Sequence, residues 1–138
     1  MITGHLKKLQ QEGTGKNFYI IKFGIDVEKN PVVVDCIADQ VHHIPDKLDN
    51  LVIPTGSGIT AGSILRGINK FSKKIKNVYV VHISGMDRRK KVNEIAGLVP
   101  YIYVHGTGFR YSKKLKIKVS EGFELDEIYE AKAYDWML

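Results

Sequence analysis

The residues best suited to chemistry by type and spacing are Thr55-Gly-Ser-Gly-Ile-Thr60, a run in which two glycines stand one residue apart. Glycine at 56 and 58 permits backbone angles closed to other residues and leaves no side chain between the amides and a ligand. The chemistry this suggests is anion binding. Amides gathered at the positive end of a helix dipole favour a phosphate or carboxylate without any basic side chain. The alternative is a plain strand-to-helix turn whose glycines serve close packing. No Gly-Lys-Ser/Thr ending follows, which disfavours a P-loop ATPase. Ser57 lacks the Gly-x-Ser-x-Gly frame and a recognisable Asp and His partner, which disfavours a hydrolase.

Two elements must position this loop. Leu51, Val52 and Ile53 form a β-rich run, and Pro54, having no backbone donor, suits its last position. From Ile59 onward Ile64, Leu65 and Ile68 recur at helical spacing, with Thr60 and Ser63 small and polar near the start.

The rest of the chain reads as more of the same alternation. A short helix is expected from Thr3 to Gln11, a strand from Asn17 to Phe23, and a helix from Pro31 to His43 with Val33, Ile37 and Val41 on one face. Residues Ile44 to Asn50 link it to the strand before the loop. Asn77 to Ile83 is apolar enough to be an interior parallel strand. Asp87 can cap a helix that Gly97 ends after Ala96. Val99 to His105 reads as a strand, Leu115 to Val119 as an edge strand alternating with lysines, and Asp126 as the start of a last helix reaching Leu138. This order predicts an α/β fold: three layers, a mainly parallel sheet and helices on both faces, in one domain spanning 1–138. Ligands of such sheets lie beyond the carboxyl ends of the strands, where the loop sits. Ser84, Gly85, Arg88 and Arg89, which follow the next strand, are expected near enough to touch the remainder of a ligand.

With 138 residues, 43% hydrophobic and 26% charged, the chain has room for a core. Its start lacks the apolar stretch of a secretory signal, no apolar run suits a membrane span, and Cys36 has no partner for an internal disulfide. A cytoplasmic location is expected. The net charge of +6 concentrates at Lys70 to Lys76, Asp87 to Lys91 and Lys113 to Lys118. These lysines alternate with apolar residues like the solvated sides of helices and strands, so an anionic small molecule is favoured over nucleic acid as the partner.

Other reactive residues carry less. His42 and His43 point to different faces of a helix, and no third ligand at metal spacing accompanies them with Asp46, so no metal is expected. His82 and His105 end two strands, and His82 reads as a hydrogen-bonded core residue. Cys36, beside Val34 and Ile37, reads as a small buried hydrophobe.

Three blocks resemble a known family. Leu48 to Gly62 is similar to the strand and Gly-Ser-Gly-Gly-Thr loop of the fold-type II pyridoxal-phosphate enzymes, nearest the D-cysteine desulfhydrase and aminocyclopropane-carboxylate deaminase branch. Phe18 to Gly24, with Gln40 in the helix beyond, resembles the segment upstream of that loop. Glu121 to Ala133 is similar to the family's Glu-Gly-x-x-Leu-Asp-Pro-Val-Tyr-x-x-Lys-Ala. The resemblance implies the cofactor-binding, Rossmann-like half of such an enzyme. Thr55, Gly56, Ser57, Gly58, Ile59 and Thr60 would hold the phosphate of pyridoxal phosphate through amides and hydroxyls. Tyr129 and Glu130 would lie near its ring; Tyr129 also reads as an amphipathic helix residue with its hydroxyl at the surface. The departures are Ile59 for a loop glycine, Glu127 for the proline, and no counterpart of the Gly-Asn-Lys segment whose lysine carries the cofactor. The protein is expected to begin after that point, and Lys16 has no reason to face the loop.

The function expected is therefore binding, or sequestration, of a phosphate-bearing small molecule. That molecule is pyridoxal phosphate or a nucleotide-derived signal, and no residue is assigned a catalytic role. A homo-oligomer is expected to enclose the pocket and cover the apolar terminal helix. The alternatives are a fragment or subunit of a pyridoxal-phosphate lyase or deaminase, and a basic nucleic-acid module.

Overall fold

The computed structural model describes residues 31–83 and 86–138. At its centre is β2, Lys74–His82, flanked by β1, Lys47–Thr55, and β3, Ile102–Val104, all parallel, in the order β1-β2-β3. Alternation along the strands sorts the side chains into two faces. Leu51, Ile53, Val78, Val80 and Tyr103 point to one side and meet α2, Ile59–Lys70, with Ala61, Leu65 and Ile68. Helix α3, Arg89–Ala96, adds Val92 and Ala96, and Val41, just beyond α1, Pro31–Gln40, closes the cluster. The other face takes α4, Glu130–Met137, whose Trp136 ring lies 5.4 Å from that of Tyr79. This is the α/β arrangement with a parallel sheet and helices on both faces. Among the described residues no helix is long and apolar enough to cross a membrane.

The strand before the loop is longer than its apolar core suggests. Lys47 to Asn50, polar except for Leu48, join it because β2 begins at Lys74 and offers them a partner, Lys47 opposite Lys74 and Thr55 opposite His82. Pro54 sits inside β1 opposite Val81, which is tolerated because β1 ends the row of described strands. β3 is shorter than expected. Residues 115–125 do not join the sheet as an edge strand; Leu115 N bonds Glu127 O, Leu125 N bonds Ile117 O and Val119 N bonds Phe123 O, so this segment pairs with itself. α1 ends at Gln40 in a 3-10 turn, Val41–His43. The last helix is delayed to Glu130 because Asp126 Oδ1 accepts from Ile128 N and Tyr129 N and holds a turn ahead of it. The expected elements at Thr3 to Gln11 and Asn17 to Phe23, and Lys16, lie outside the described residues.

Lys73 had looked like one more member of a charge run. Its side chain is only 5% exposed; Nζ donates to Ile44 O at 2.8 Å, to His42 O at 3.2 Å and to Asp46 Oδ1 at 2.7 Å. That bond, and then the ammonium's charge, hold the Asp46 carboxyl below its usual range. Lys73 thus ties the end of α2 to the chain entering β1. Lys73→Met is expected to cost roughly 1–2 kcal/mol, read as a lower urea midpoint at constant slope, because the carbonyl of Ile44 loses its charged donor. Asp46→Asn should change little, since Asp46 stays 89% exposed.

Candidate functional site

The glycine loop stands where β1 ends and α2 begins. Gly58, the residue ahead of the helix, has φ 91° and ψ −13°, a left-handed conformation that L side chains rarely adopt. A Cβ there would lie 3.2 Å from Val92 Cγ2 and 3.4 Å from Arg88 Cβ, so the start of α3 packs directly on the loop. No side chain caps α2. Its first backbone bond runs from Gly62 N to Gly58 O, and the amides ahead of Gly62 have no acceptor within the helix. Ser57 Oγ is 3.4 Å from Ile59 N, a long contact. Ser63 Oγ turns inward to Ile59 O at 2.8 Å and so takes no part.

A cleft of about 250 Å³ opens over this loop, lined by Pro54 to Gly58, Thr60, Tyr129 and Glu130. Tyr129 lies against Gly56: a Cβ at 56 would meet its Cε1 at 3.0 Å and its Oη at 3.2 Å. A side chain at 56 would therefore fill the floor of the cleft. The ring is half-buried and meets Tyr111 edge-on at 5.9 Å, rather than projecting from a helix surface. The hydrogen bond to Tyr111, with burial second, pushes the Tyr129 phenol up to about 12, so it stays protonated and able to donate at neutral pH. Glu130 Oε2 accepts from Asp126 N at 3.3 Å. Thr55 is 2% exposed, and its Oγ1 is buried with no hydrogen-bond partner. An unpartnered buried hydroxyl is costly, and here it borders a cleft that could supply the partner.

Of the residues expected after β2, Arg88 reaches the loop through its contact with Gly58, and its Nε is likewise buried and unpartnered. Arg89 does not line the cleft. Its Nε donates to Asp87 Oδ2 at 2.8 Å and its guanidinium lies 5.7 Å from the Tyr103 centroid. This bond holds Asp87 down at about 2. Ser84 and Gly85 lie outside the described residues. His82 is buried as expected, stacked at 5.4 Å on His105, and burial holds its imidazole below the usual range. Among the described residues no group of three or more metal-ligating side chains comes together. Cys36 is exposed, contrary to expectation, because α1 buries Val34 and Ala38 and turns Cys36 outward with Asp35 and Asp39.

Sequence reasoning missed Lys132. It is 1% exposed, and Nζ donates to Arg110 O at 2.7 Å, one residue before Tyr111. The family resemblance matches it to the lysine of Tyr-x-x-Lys-Ala, but nothing in its neighbouring residues announces its burial. A second depression, about 430 Å³ and shallower, lies at the amino ends of the strands, between Lys47 to Asp49 and Lys74 to Lys76. It is far from the loop, and the hydroxyls and free amides are not there.

No protein-family model matches the chain, and no solved structure matches it. Among curated proteins it is similar to an O-seryl-dTMP PLP-dependent decarboxylase of Salmonella phage ViI, 34% identical over 85 residues. The match covers 56% of this chain and 20% of the phage protein, so it spans about a fifth of that PLP-dependent enzyme.

Proposed function

We propose that Thr55 to Thr60 is a phosphate-binding loop and that the protein binds a small phosphate ester there, pyridoxal phosphate or a nucleotide derivative. The observation that carries this reading is the buried, unpartnered Thr55 hydroxyl beside the uncapped first turn of α2. An anion seated there would accept from Thr55 and from the amides of the loop, with Ser57 and Thr60 at its rim. Pyridoxal phosphate fits the residues present: Thr55, Gly56, Ser57, Gly58, Ile59 and Thr60 would hold its phosphate, and Tyr129 and Glu130 would face its ring. When bound, that cofactor supplies an electron sink for carbanions formed beside an amino group. Among the described residues no lysine lines the cleft, and the amino group of Lys132 is committed to Arg110.

A second reading is supported by the similarity to the phage decarboxylase: the chain is the cofactor-holding part of a PLP-dependent lyase, deaminase or decarboxylase, with its lysine supplied from elsewhere. One titration separates the two. Pyridoxal phosphate is added and followed by absorbance, then treated with borohydride, and the protein mass is taken after denaturation. Retention without covalent capture supports the binder; a lysine carrying the reduced cofactor establishes the enzyme reading. Thr55→Val should weaken retention by about tenfold or more, the effect of one hydrogen bond to a charged group. Retention that ignores this substitution, or no retention of any phosphate ester, rejects the loop as the site. Native mass spectra of the same sample read the oligomer, for which a dimer or larger assembly is expected, because the cleft is open to solvent on one side.

A further inference from the structure

We propose that the ligand of the loop is a nucleoside 5′-monophosphate whose base stacks on His105; this rests on the phosphate-loop reading above. The parallel register places Thr55 beside His82, and one step beyond the pairs Val80–Tyr103 and Val81–Val104 it places His82 beside His105. All three side chains stand on the face of the sheet that meets α2 and α3. Adjacent strands lie about 4.8 Å apart, so His105 sits roughly 10 Å across the strand ends from Thr55. A ring joined to its phosphate ester by one methylene, as in pyridoxal phosphate, falls short of that span. A base joined through a pentose reaches it.

The surface at His105 is made for a flat group. His82 and His105 are 10° from parallel, and Tyr103 lies 22° from His105 with centroids 6.3 Å apart. His82 is buried and Tyr103 half-buried, whereas His105 is exposed, so the paving of rings ends at an open edge. Arg88 joins this paving to the loop: its Cβ packs at Gly58 and its amide donates to Tyr103 Oη at 3.0 Å. Its Nε is buried and has no hydrogen-bond partner. Base stacking on aromatic side chains tolerates any base, so the class is defined by phosphate, pentose and a planar ring rather than by one base.

The test is calorimetric titration of the full chain with inorganic phosphate, ribose 5-phosphate, pyridoxal phosphate, adenosine 5′-monophosphate and uridine 5′-monophosphate. Both nucleotides should bind about tenfold or more tighter than ribose 5-phosphate, the effect of stacking one base. His105→Ala should erase that gap and leave ribose 5-phosphate unchanged, and His105→Phe should preserve it. Nucleotides binding no tighter than ribose 5-phosphate, or a gap that survives His105→Ala, overturns the stacking site while leaving the phosphate loop standing. Pyridoxal phosphate binding tighter than either nucleotide also overturns it. If Thr55→Val weakens none of the five, the loop reading itself has failed, and this inference with it.

Discussion

Gly67→Ala is expected to lower stability by roughly 2–3 kcal/mol, although alanine is the better helix former by about 1 kcal/mol. The loss comes from the contact between α1 and α2. A Cβ at position 67 would lie 2.5 Å from Val41 Cγ2 and closer still to the carbonyl oxygen of Ala38. A flexible side chain could turn aside; a helix carbonyl cannot, so the two helices must separate. Val41 belongs to the central cluster with Leu65, Ile68 and Val78, and the separation would loosen that packing too. For a domain of this size the midpoint of thermal unfolding should fall by roughly 10 °C. Asn69→Ala, on the exposed side of the same helix, is the control and should be neutral or slightly stabilising. An unchanged midpoint for Gly67→Ala would mean that α1 does not pack on α2 as described.

Lys132→Ala should cost about 3 kcal/mol, because it empties a fully buried site and strips the Arg110 carbonyl of its donor. Lys132→Met fills most of the same volume and removes a buried charge, so its cost should be about 1 kcal/mol or less. The pair separates packing from hydrogen bonding, and pH gives a second readout. Burial holds the Lys132 ammonium below its ordinary value of 10.5. Well below the folded value both states are protonated and the burial penalty is present in full. As pH rises from there towards 10.5 the folded protein sheds the proton first, the unfolded chain holds more protons, and stability rises. Lys132→Met should lack that rise. Above pH 10 Tyr129 works in the opposite sense: its value is raised to about 12, so the stability it contributes is intact below 10 and is lost as pH climbs towards 12. Urea midpoints from pH 7 to 10 for wild type and Lys132→Met make the comparison. Identical pH slopes would show that Lys132 titrates as it does in water.

What was legible in the sequence was local. The run from Leu51 to Ile68 announced a strand, a turn and a helix because each signal lies within a few residues of the structure it specifies. The interior position of β2 was likewise written in Val78, Val80 and Val81, all buried. The misreadings share a cause, which is that burial is decided by partners distant in sequence. Lys73 was counted as solvated charge and Lys132 was given no role of its own, because nothing near either in sequence shows the carbonyls that receive them. Cys36 was assigned inward because a helix of mostly apolar residues has two defensible faces, and the choice is made by α2, where Gly67 admits Ala38 and Val41 and where Arg66 and Lys70 pair with Asp35 and Asp39. The segment 115–125 alternates as a strand should, yet alternation cannot say which neighbour it pairs with. Tyr129 beside the loop was reached through family resemblance alone, since its approach to Gly56 depends on docking of the last helix.

That docking has a consequence for assembly. The floor of the cleft comes from the middle of the chain and its wall from near the carboxyl end, so the pocket exists only after α4 has settled on the outer face of the sheet. Contacts spanning so much sequence close a long loop and are slow to form. A nascent or partly unravelled chain can have β1, the glycine turn and α2 in place and still lack a competent pocket. A small molecule held in the cleft, as proposed above, would favour the fully closed chain over forms in which α4 has lifted away, and so would latch the last piece of the fold to arrive.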